Sequence, residues 1–222
     1  MSKLQEYIEK YKRLHDGSDP YYQYDSETKD WNLQPSDSER SKRHEMFSGA
    51  QFIRKFPPHL KDYIQEKQKK SVTLLDYGCG LAQWTWRNYG EYSRGVLGHM
   101  GDQIQSIWLY DPAVEPFSAK PPVEYRFDLV TCADVMEHIP EEHVDEVLAE
   151  MAMYCKPEGR MILAISGNEA FKKFADGENV HCTAKPIEWW EEKIAVYGRE
   201  YVIIHADNRR QPIQQIAKGN IK

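Results

Sequence analysis

The chain has 222 residues, of which 41% are hydrophobic and 29% are charged, and its formal net charge is −6. This length suits one domain of ordinary size, and this composition excludes a chain that is disordered throughout. Residues 71–222 contain 15 basic and 23 acidic residues, the opposite of the basic surplus expected of a protein that grips a nucleic-acid backbone, so we expect no DNA partner.

The N-terminal part of the chain contains few aliphatic side chains. Residues 2–14 place apolar residues on one face, which is typical of an amphipathic helix. Residues 15–46 are rich in Asp, Ser, Lys and Tyr, which predicts a loop or mobile arm, either a cover for a ligand site or a solvated leader. Pro57 and Pro58 interrupt the chain, and a helix is predicted after them, over residues 59–69.

From residue 71 onward, short apolar strands alternate with helical stretches. This alternation predicts a parallel sheet with helices on its faces. The predicted strands cover residues 72–76, 106–111, 127–132 and 160–166. The predicted helices cover residues 141–154 and 187–196, and a closing hairpin is predicted from residues 201–206 and 212–217.

Three features at the ends of these strands predict a nucleotide-type ligand. The segment LLDYGCGLA at 74–82 turns through glycines after a buried strand, and glycines let a backbone approach a ligand closely. The next strand ends in Asp111, where doubly wound folds place an acid that binds ribose hydroxyls. The segment from Phe127 to Pro140, which includes DVMEHIP, places a polar loop at the carboxyl end of the following strand, where open α/β sheets bind ligands.

Four segments, in this order, resemble the motifs of class I S-adenosylmethionine-dependent methyltransferases. They are the glycine turn, Asp111, the 127–140 segment, and CKPEGRMILAIS at 155–166, which is similar to the family's LKPGG turn. Residues 176–190 also resemble a bacterial and phage branch of these enzymes. The resemblance implies an α/β, Rossmann-like, three-layer α/β/α fold with a mostly parallel sheet and an antiparallel last strand. We expect a reduced third-strand edge, because the chain between Asp111 and Phe127 is too short for a full helix and strand.

The resemblance also implies which residues bind S-adenosylmethionine. Gly78 and Gly80 would lie under the methionine part of the cofactor, and Asp76 would face its amino end. Asp111 would hold the ribose, and Asp134 with its loop would lie near the sulfonium and the methyl acceptor. The family's acid that contacts the adenine amino group has no clear counterpart here, so adenine recognition would rest on backbone groups and apolar contacts.

Two histidines are candidates for acting on the acceptor. His181 lies in a polar loop after the strand predicted over residues 160–166, and His138 follows the strand predicted over residues 127–132. An oxygen acceptor needs a base, and a neutral imidazole can supply one near pH 7; alternatively, His181 bonds to backbone and His138 caps a helix. Of Trp189 and Trp190, one is expected in the core and the other at the acceptor pocket. No metal is predicted, because no His/Asp/Glu cluster has ligand spacing along the sequence.

The resulting prediction is an enzyme that transfers a methyl group to a small molecule or a sugar. Alternatives are a catalytically silent cofactor-binding or regulatory module, and a methyltransferase that acts on protein or RNA. A nicotinamide-dependent oxidoreductase or epimerase would carry glycine at position 83, where this chain has Gln83. We divide the chain into an N-terminal helix with an arm or lid, residues 1–48, and a methyltransferase domain, residues 49–222. The sequence leaves the oligomeric state open.

The cysteines and the apolar runs predict a cytoplasmic protein. The four cysteines lie far apart and form no CxxC pair, which indicates reduced thiols. No apolar run approaches the ~18 residues of a membrane helix, and the N-terminus lacks a signal-peptide pattern. We therefore expect no membrane partner.

Overall fold

The computed structural model describes residues 2–37, 52–82, 100–206 and 214–219. Its helices and strands alternate in a pattern close to that predicted for the second part of the chain. In chain order they are α1 (Lys3–Asp16), β1 (Tyr21–Asp25), β2 (Asp30–Gln34), α2 (Phe52–Glu66), β3 (Val72–Tyr77), β4 (Ile104–Tyr110), β5 (Phe127–Ala133), α3 (Val144–Tyr154), β6 (Cys155–Ser166), β7 (Lys172–Phe174), α4 (Ile187–Ala195), β8 (Glu200–Ala206) and β9 (Gln214–Gly219).

A six-stranded sheet with the order β4-β3-β5-β6-β8-β9 forms the centre of the molecule. The first five of these strands run parallel, and β9 runs antiparallel to β8 at the edge. No strand occurs in residues 111–126, so β4 is the other edge. The mostly parallel sheet, its antiparallel last strand and its reduced third-strand edge are confirmed.

Helices cover both faces of this sheet and complete three layers. Side chains alternate along β3, so that Leu74 packs with the core under α2 and Leu75 packs with the core under α3 and α4. On the α2 side this core includes the fully buried Phe56 and Leu60. Because both faces are buried, the central strands consist of nearly continuous apolar runs, which is why the sequence revealed them.

The predicted boundaries of the sheet strands agree with the structure to within two residues, except at β6. That strand begins at Cys155, which pairs with Phe127 of β5 before the register shifts, rather than at residue 160. The first turn of the helix predicted over 141–154 is a 3₁₀ turn, Glu141–His143, and α3 follows it. Strands β8 and β9 form the predicted closing pair.

The prediction for α2 was wrong at its start. The helix begins at Phe52 and contains Pro57 and Pro58, which were expected to precede it. Each proline removes a backbone hydrogen bond and is unfavourable inside a helix. Burial of Phe56, Leu60 and Tyr63 against the sheet offsets this cost, because full burial of each large apolar side chain contributes about 1.5–3 kcal/mol.

The loop predicted for residues 15–46 is also wrong for the part that the structure describes. Strands β1 and β2 form a hairpin there, and β1 pairs antiparallel with β7 to give a second sheet, with the order β2-β1-β7. Aromatic residues such as Tyr22, Tyr24 and Trp31 favour strands. The division at residues 48 and 49 lies outside the described residues. Among the described helices, none is both long and apolar enough to cross a membrane.

Candidate active site

The glycine turn after β3 has a backbone shape that needs glycine. Gly78 and Gly80 have φ angles of 74° and 53°, in the left-handed region. The amides of Gly78 and Cys79 donate to the Tyr110 carbonyl at 2.7 and 3.0 Å. A Cβ atom on Gly78 would lie 2.3 Å from a methyl group of Val135, in the loop after β5. The turn is therefore packed directly against that loop.

Asp111 lies at the end of β4 and hydrogen-bonds to the same glycine turn. Its Oδ2 accepts a hydrogen bond from the Gly80 amide and its Oδ1 accepts one from the Ala113 amide, each at 2.9 Å. The side chain is 9% exposed. Burial raises the pKa of Asp111, and the two amides oppose that rise. The structure thus brings Gly80 and Asp111 into contact.

Asp76 and Asp134 occupy the same carboxyl edge of the sheet at different depths. Asp76 is fully buried, and Thr131 donates a hydrogen bond to its Oδ1 at 3.3 Å. Asp134 follows β5 and is partly exposed, with a left-handed φ of 52° and its amide bonded to the Ala164 carbonyl at 2.9 Å. The residues directly after the glycine turn, 83–99, lie outside the described part.

The loops after β5 and β7 bring together a carboxylate and two histidines. One possible ligand atom from each of Glu137, His138 and His181 lies within 4.8 Å of the others. The two imidazole rings meet edge to face, with centroids 4.7 Å apart. We call these three residues the histidine cluster. Both histidines were predicted from the sequence, but Glu137 was not, although it is an acid directly beside His138 in the DVMEHIP segment.

Backbone carbonyls fix both histidines. His138 Nδ1 lies 2.7 Å from the Val180 carbonyl oxygen, and His181 Nδ1 lies 2.6 Å from the Asn168 carbonyl oxygen. The Tyr11 hydroxyl, from α1, donates to the Val180 carbonyl and also contacts His138 Nδ1. Burial, and then the neighbouring His181, lower the pKa of His138 to about 3, against the opposing effect of the Val180 carbonyl. His138 is therefore neutral at pH 7.

Glu137 is the buried member of the cluster. Its Oε1 accepts a hydrogen bond from the Ser166 amide at 2.9 Å, at the end of β6. Its Oε2 is buried and has no hydrogen-bond partner. Burial, and then the charge of Asp134, raise the pKa of Glu137 well above its ordinary value.

One of the two adjacent tryptophans lies in the core, as expected. Trp190 is fully buried in the core under α4. Trp189 is partly exposed and packs edge to face on Trp190, with Lys185 and Lys193 over its ring at 5.5 and 5.3 Å. A role for Trp189 at an acceptor pocket stays a prediction.

Comparison with known proteins agrees with this geometry. A family profile described as "Methyltransferase domain" matches residues 43–200. One similar solved structure is 1,6-didemethyltoxoflavin-N1-methyltransferase from Burkholderia thailandensis, with 1,6-didemethyltoxoflavin and S-adenosylhomocysteine bound. It shares 12% identity, covers 98% of this chain and 89% of its own, and has a TM-score of 0.56, which shows a common fold.

An O-methyltransferase family protein from the same organism shares 16% identity over 55% of this chain and 42% of its own. Its TM-score of 0.30 is too low to indicate a common fold. Among curated protein sequences, none matches the chain significantly.

Proposed function

The chain belongs to the family of methyltransferase domains, as a class I S-adenosylmethionine-dependent enzyme, and we propose that its acceptor is a small molecule, such as a sugar, that binds beside His181. The family match covers most of the chain and supplies the reaction class. The acceptor proposal rests on the histidine cluster, which lies in the loops after β5 and β7. It is consistent with the small molecule bound in the structurally similar N1-methyltransferase.

We propose that the cofactor lies over the glycine turn, and the contact between Gly80 and Asp111 is the observation that carries this proposal. A carboxylate offers about four acceptor positions, so Asp111 can bind ribose hydroxyls in addition to the two amides that fix it. Gly78 and Gly80 present backbone without a side chain under the methionine part. Asp76 would face the amino end through its buried carboxylate, and Asp134 would border the sulfonium.

When bound, S-adenosylmethionine supplies a methyl group that its sulfonium activates. The acceptor forms a bond to the methyl carbon and loses a proton, and the electrons of the broken C–S bond stay on sulfur. The protein's share of the work is to align the acceptor with that methyl group and to exclude water. Helix α1 contributes to this enclosure, because its Tyr11 lies against His138 and the Val180 carbonyl.

Of the two histidines, His181 is better suited to act on the acceptor. It is partly exposed, and its Nδ1 is directed to the Asn168 carbonyl, so its Nε2 carries the lone pair. His138 has a pKa of about 3 and is held by Val180 and Tyr11, so it is a weak base. We therefore assign His138 to the support of the site.

Calorimetric titration of the full chain with S-adenosylmethionine, S-adenosylhomocysteine and NAD tests the cofactor site. We expect both sulfur compounds to bind and NAD not to bind. Asp111→Ala should weaken binding of both by about 100-fold or more, because charge-assisted hydrogen bonds contribute about 1.5–3 kcal/mol each. Asp102→Ala, at an exposed acid close to the start of β4, is the matched control and should bind normally.

Unchanged binding in Asp111→Ala, or binding of NAD instead, would contradict the assignment. Transfer of a labelled methyl group to a panel of small molecules, sugars, proteins and RNA then tests the acceptor. Transfer only to protein or RNA would overturn the small-molecule proposal. Cofactor binding without transfer to any acceptor would favour a silent regulatory module.

A further inference from the structure

We propose that Glu137, His138 and His181 bind a divalent transition-metal ion, with Zn²⁺ as its representative. Two imidazole nitrogens and one carboxylate oxygen form a ligand set that zinc enzymes use, with a fourth position open. Zinc–ligand bonds of about 2.0–2.2 Å place neighbouring ligand atoms about 3.4 Å apart. The possible ligand atoms of the cluster lie within 4.8 Å of one another. Side-chain rotations that move these atoms by about 1 Å would therefore bring them into coordination distance.

The hydrogen bonds of the two histidines determine which ring nitrogen of each can bind an ion. A carbonyl oxygen only accepts hydrogen bonds, so the Nδ1 atoms that face Val180 and Asn168 carry the protons. In a neutral imidazole the lone pair is then on Nε2. Metal-ligating histidines commonly donate their other ring N–H to a backbone carbonyl or carboxylate, which fixes the tautomer and the ring orientation. Both histidines of the cluster have this arrangement.

Glu137 supplies a second, independent observation. Its Oε2 is buried and has no hydrogen-bond partner, while its Oε1 is fixed by the Ser166 amide. A buried polar atom without a partner costs free energy, and natural structures usually satisfy such atoms. A cation bound by Oε2 would satisfy it.

The sequence concealed this site because its ligands come from two different loops. Glu137 and His138 follow β5, whereas His181 follows β7 and reaches the cluster only when the chain folds. The binding of an ion does not depend on the proposed methyl transfer. An ion here is placed to hold an oxygen of the acceptor, and in that case His181 acts through the ion and not directly on a proton.

Titration of the metal-stripped full chain with Zn²⁺, in competition with a chromophoric chelator, tests the proposal. We expect one ion per chain. Glu137→Gln keeps the shape of the side chain, and His181→Ala removes one ligand. Each should weaken Zn²⁺ binding by about 100-fold or more, because loss of a residue that only supports a metal ligand already costs about 10–100-fold in affinity. His143→Ala, at the histidine that pairs with Glu146, is the matched control and should bind normally. Equal affinity in wild type and both variants, or no stoichiometric binding to wild type, would overturn the proposal.

Nitrogen NMR of the wild-type chain provides a readout that does not depend on any variant folding. Zn²⁺ should shift the Nε2 resonances of His138 and His181, while their Nδ1 atoms keep their protons. Unshifted Nε2 resonances at saturating Zn²⁺ would also overturn the proposal. Calorimetry with S-adenosylhomocysteine on the same preparation separates the metal-site proposal from the proposed function. Binding of S-adenosylhomocysteine tests the methyltransferase assignment, and the Zn²⁺ titration tests the histidine cluster.

Discussion

Gly78 is the residue at which the glycine turn meets the loop after β5, and two separate costs oppose any side chain there. The φ of 74° disfavours other residues, and an added Cβ would lie 2.3 Å from a methyl group of Val135. Gly177 separates the two effects, because its φ is 88° and nothing lies within 4 Å of its added Cβ. The requirement for glycine at 78 thus comes from the contact as well as from the backbone.

We expect Gly78→Ala to lower the free energy of unfolding by about 3 kcal/mol, from about 1–2 kcal/mol of backbone strain and a similar cost of overpacking. Gly177→Ala should cost only the strain. The double variant Gly78→Ala/Val135→Ala should recover about 1 kcal/mol relative to additivity, because the clashing methyl groups are removed. Urea denaturation of the wild type, the single variants Gly78→Ala, Val135→Ala and Gly177→Ala, and the double variant measures these differences. Strict additivity would show that the contact with Val135 is not the cause.

At the scale of elements, Asp128 ties together the starts of three strands. Its Oδ2 accepts hydrogen bonds from the Thr73 amide and hydroxyl, each at 2.9 Å, and from Lys156 at 3.0 Å, while Oδ1 accepts one from Lys69 at 2.6 Å. Burial raises the pKa of this carboxyl, but Lys69, Thr73 and Lys156 outweigh it and lower the pKa to about 2. The carboxylate thus joins β5 to β3 and to β6.

The lowered pKa of Asp128 predicts how stability depends on pH. A folded-state pKa below the unfolded value contributes stability that is fully present above the unfolded pKa, near 4, and is lost as the pH falls to about 2. Asp128→Asn should lower the free energy of unfolding by about 1–3 kcal/mol at pH 7. The difference from wild type should shrink between about pH 4 and pH 2, as measured by urea denaturation at each pH. A difference that stays constant over that range would contradict the assignment.

Elements were predictable from the sequence wherever burial alone determines them. Strands β3, β5 and β6 are apolar runs buried on both faces for most of their length, so their positions follow from composition. Strands β1 and β2 are mostly half-exposed, and β1 pairs with β7, which lies far along the chain, so local sequence favoured a loop. The same limit applies to the site. The acids at the carboxyl edge of the sheet could be predicted because each lies at the end of a strand that the sequence reveals. The histidine cluster could not, because it forms only when two loops pack together.

At the scale of the whole molecule, the N-terminal segment and the loop after β6 form one unit beside the histidine cluster. Tyr7 and Phe174 meet edge to face in a small core of their own, and Lys10 pairs with Asp176 and Glu178 at 2.7 and 2.8 Å. The Tyr11 hydroxyl connects this unit to His138. Its buried residues form a cluster distinct from the two cores of the main sheet, although Leu4 of α1 packs against one of them. We therefore expect this unit to loosen before those cores unfold.

This separation predicts a local response to Tyr11→Phe. The substitution removes a hydroxyl that donates to the Val180 carbonyl and contacts His138, at a cost of about 1 kcal/mol. We expect faster hydrogen exchange in α1 and β7 and unchanged exchange in β3 and β5. Tyr22→Phe, at a partly exposed position of β1, is the matched control and should leave exchange in α1 unchanged. If Tyr11→Phe instead accelerated exchange throughout the main sheet, the N-terminal unit and the sheet would form one cooperative unit, and α1 would be part of the main fold.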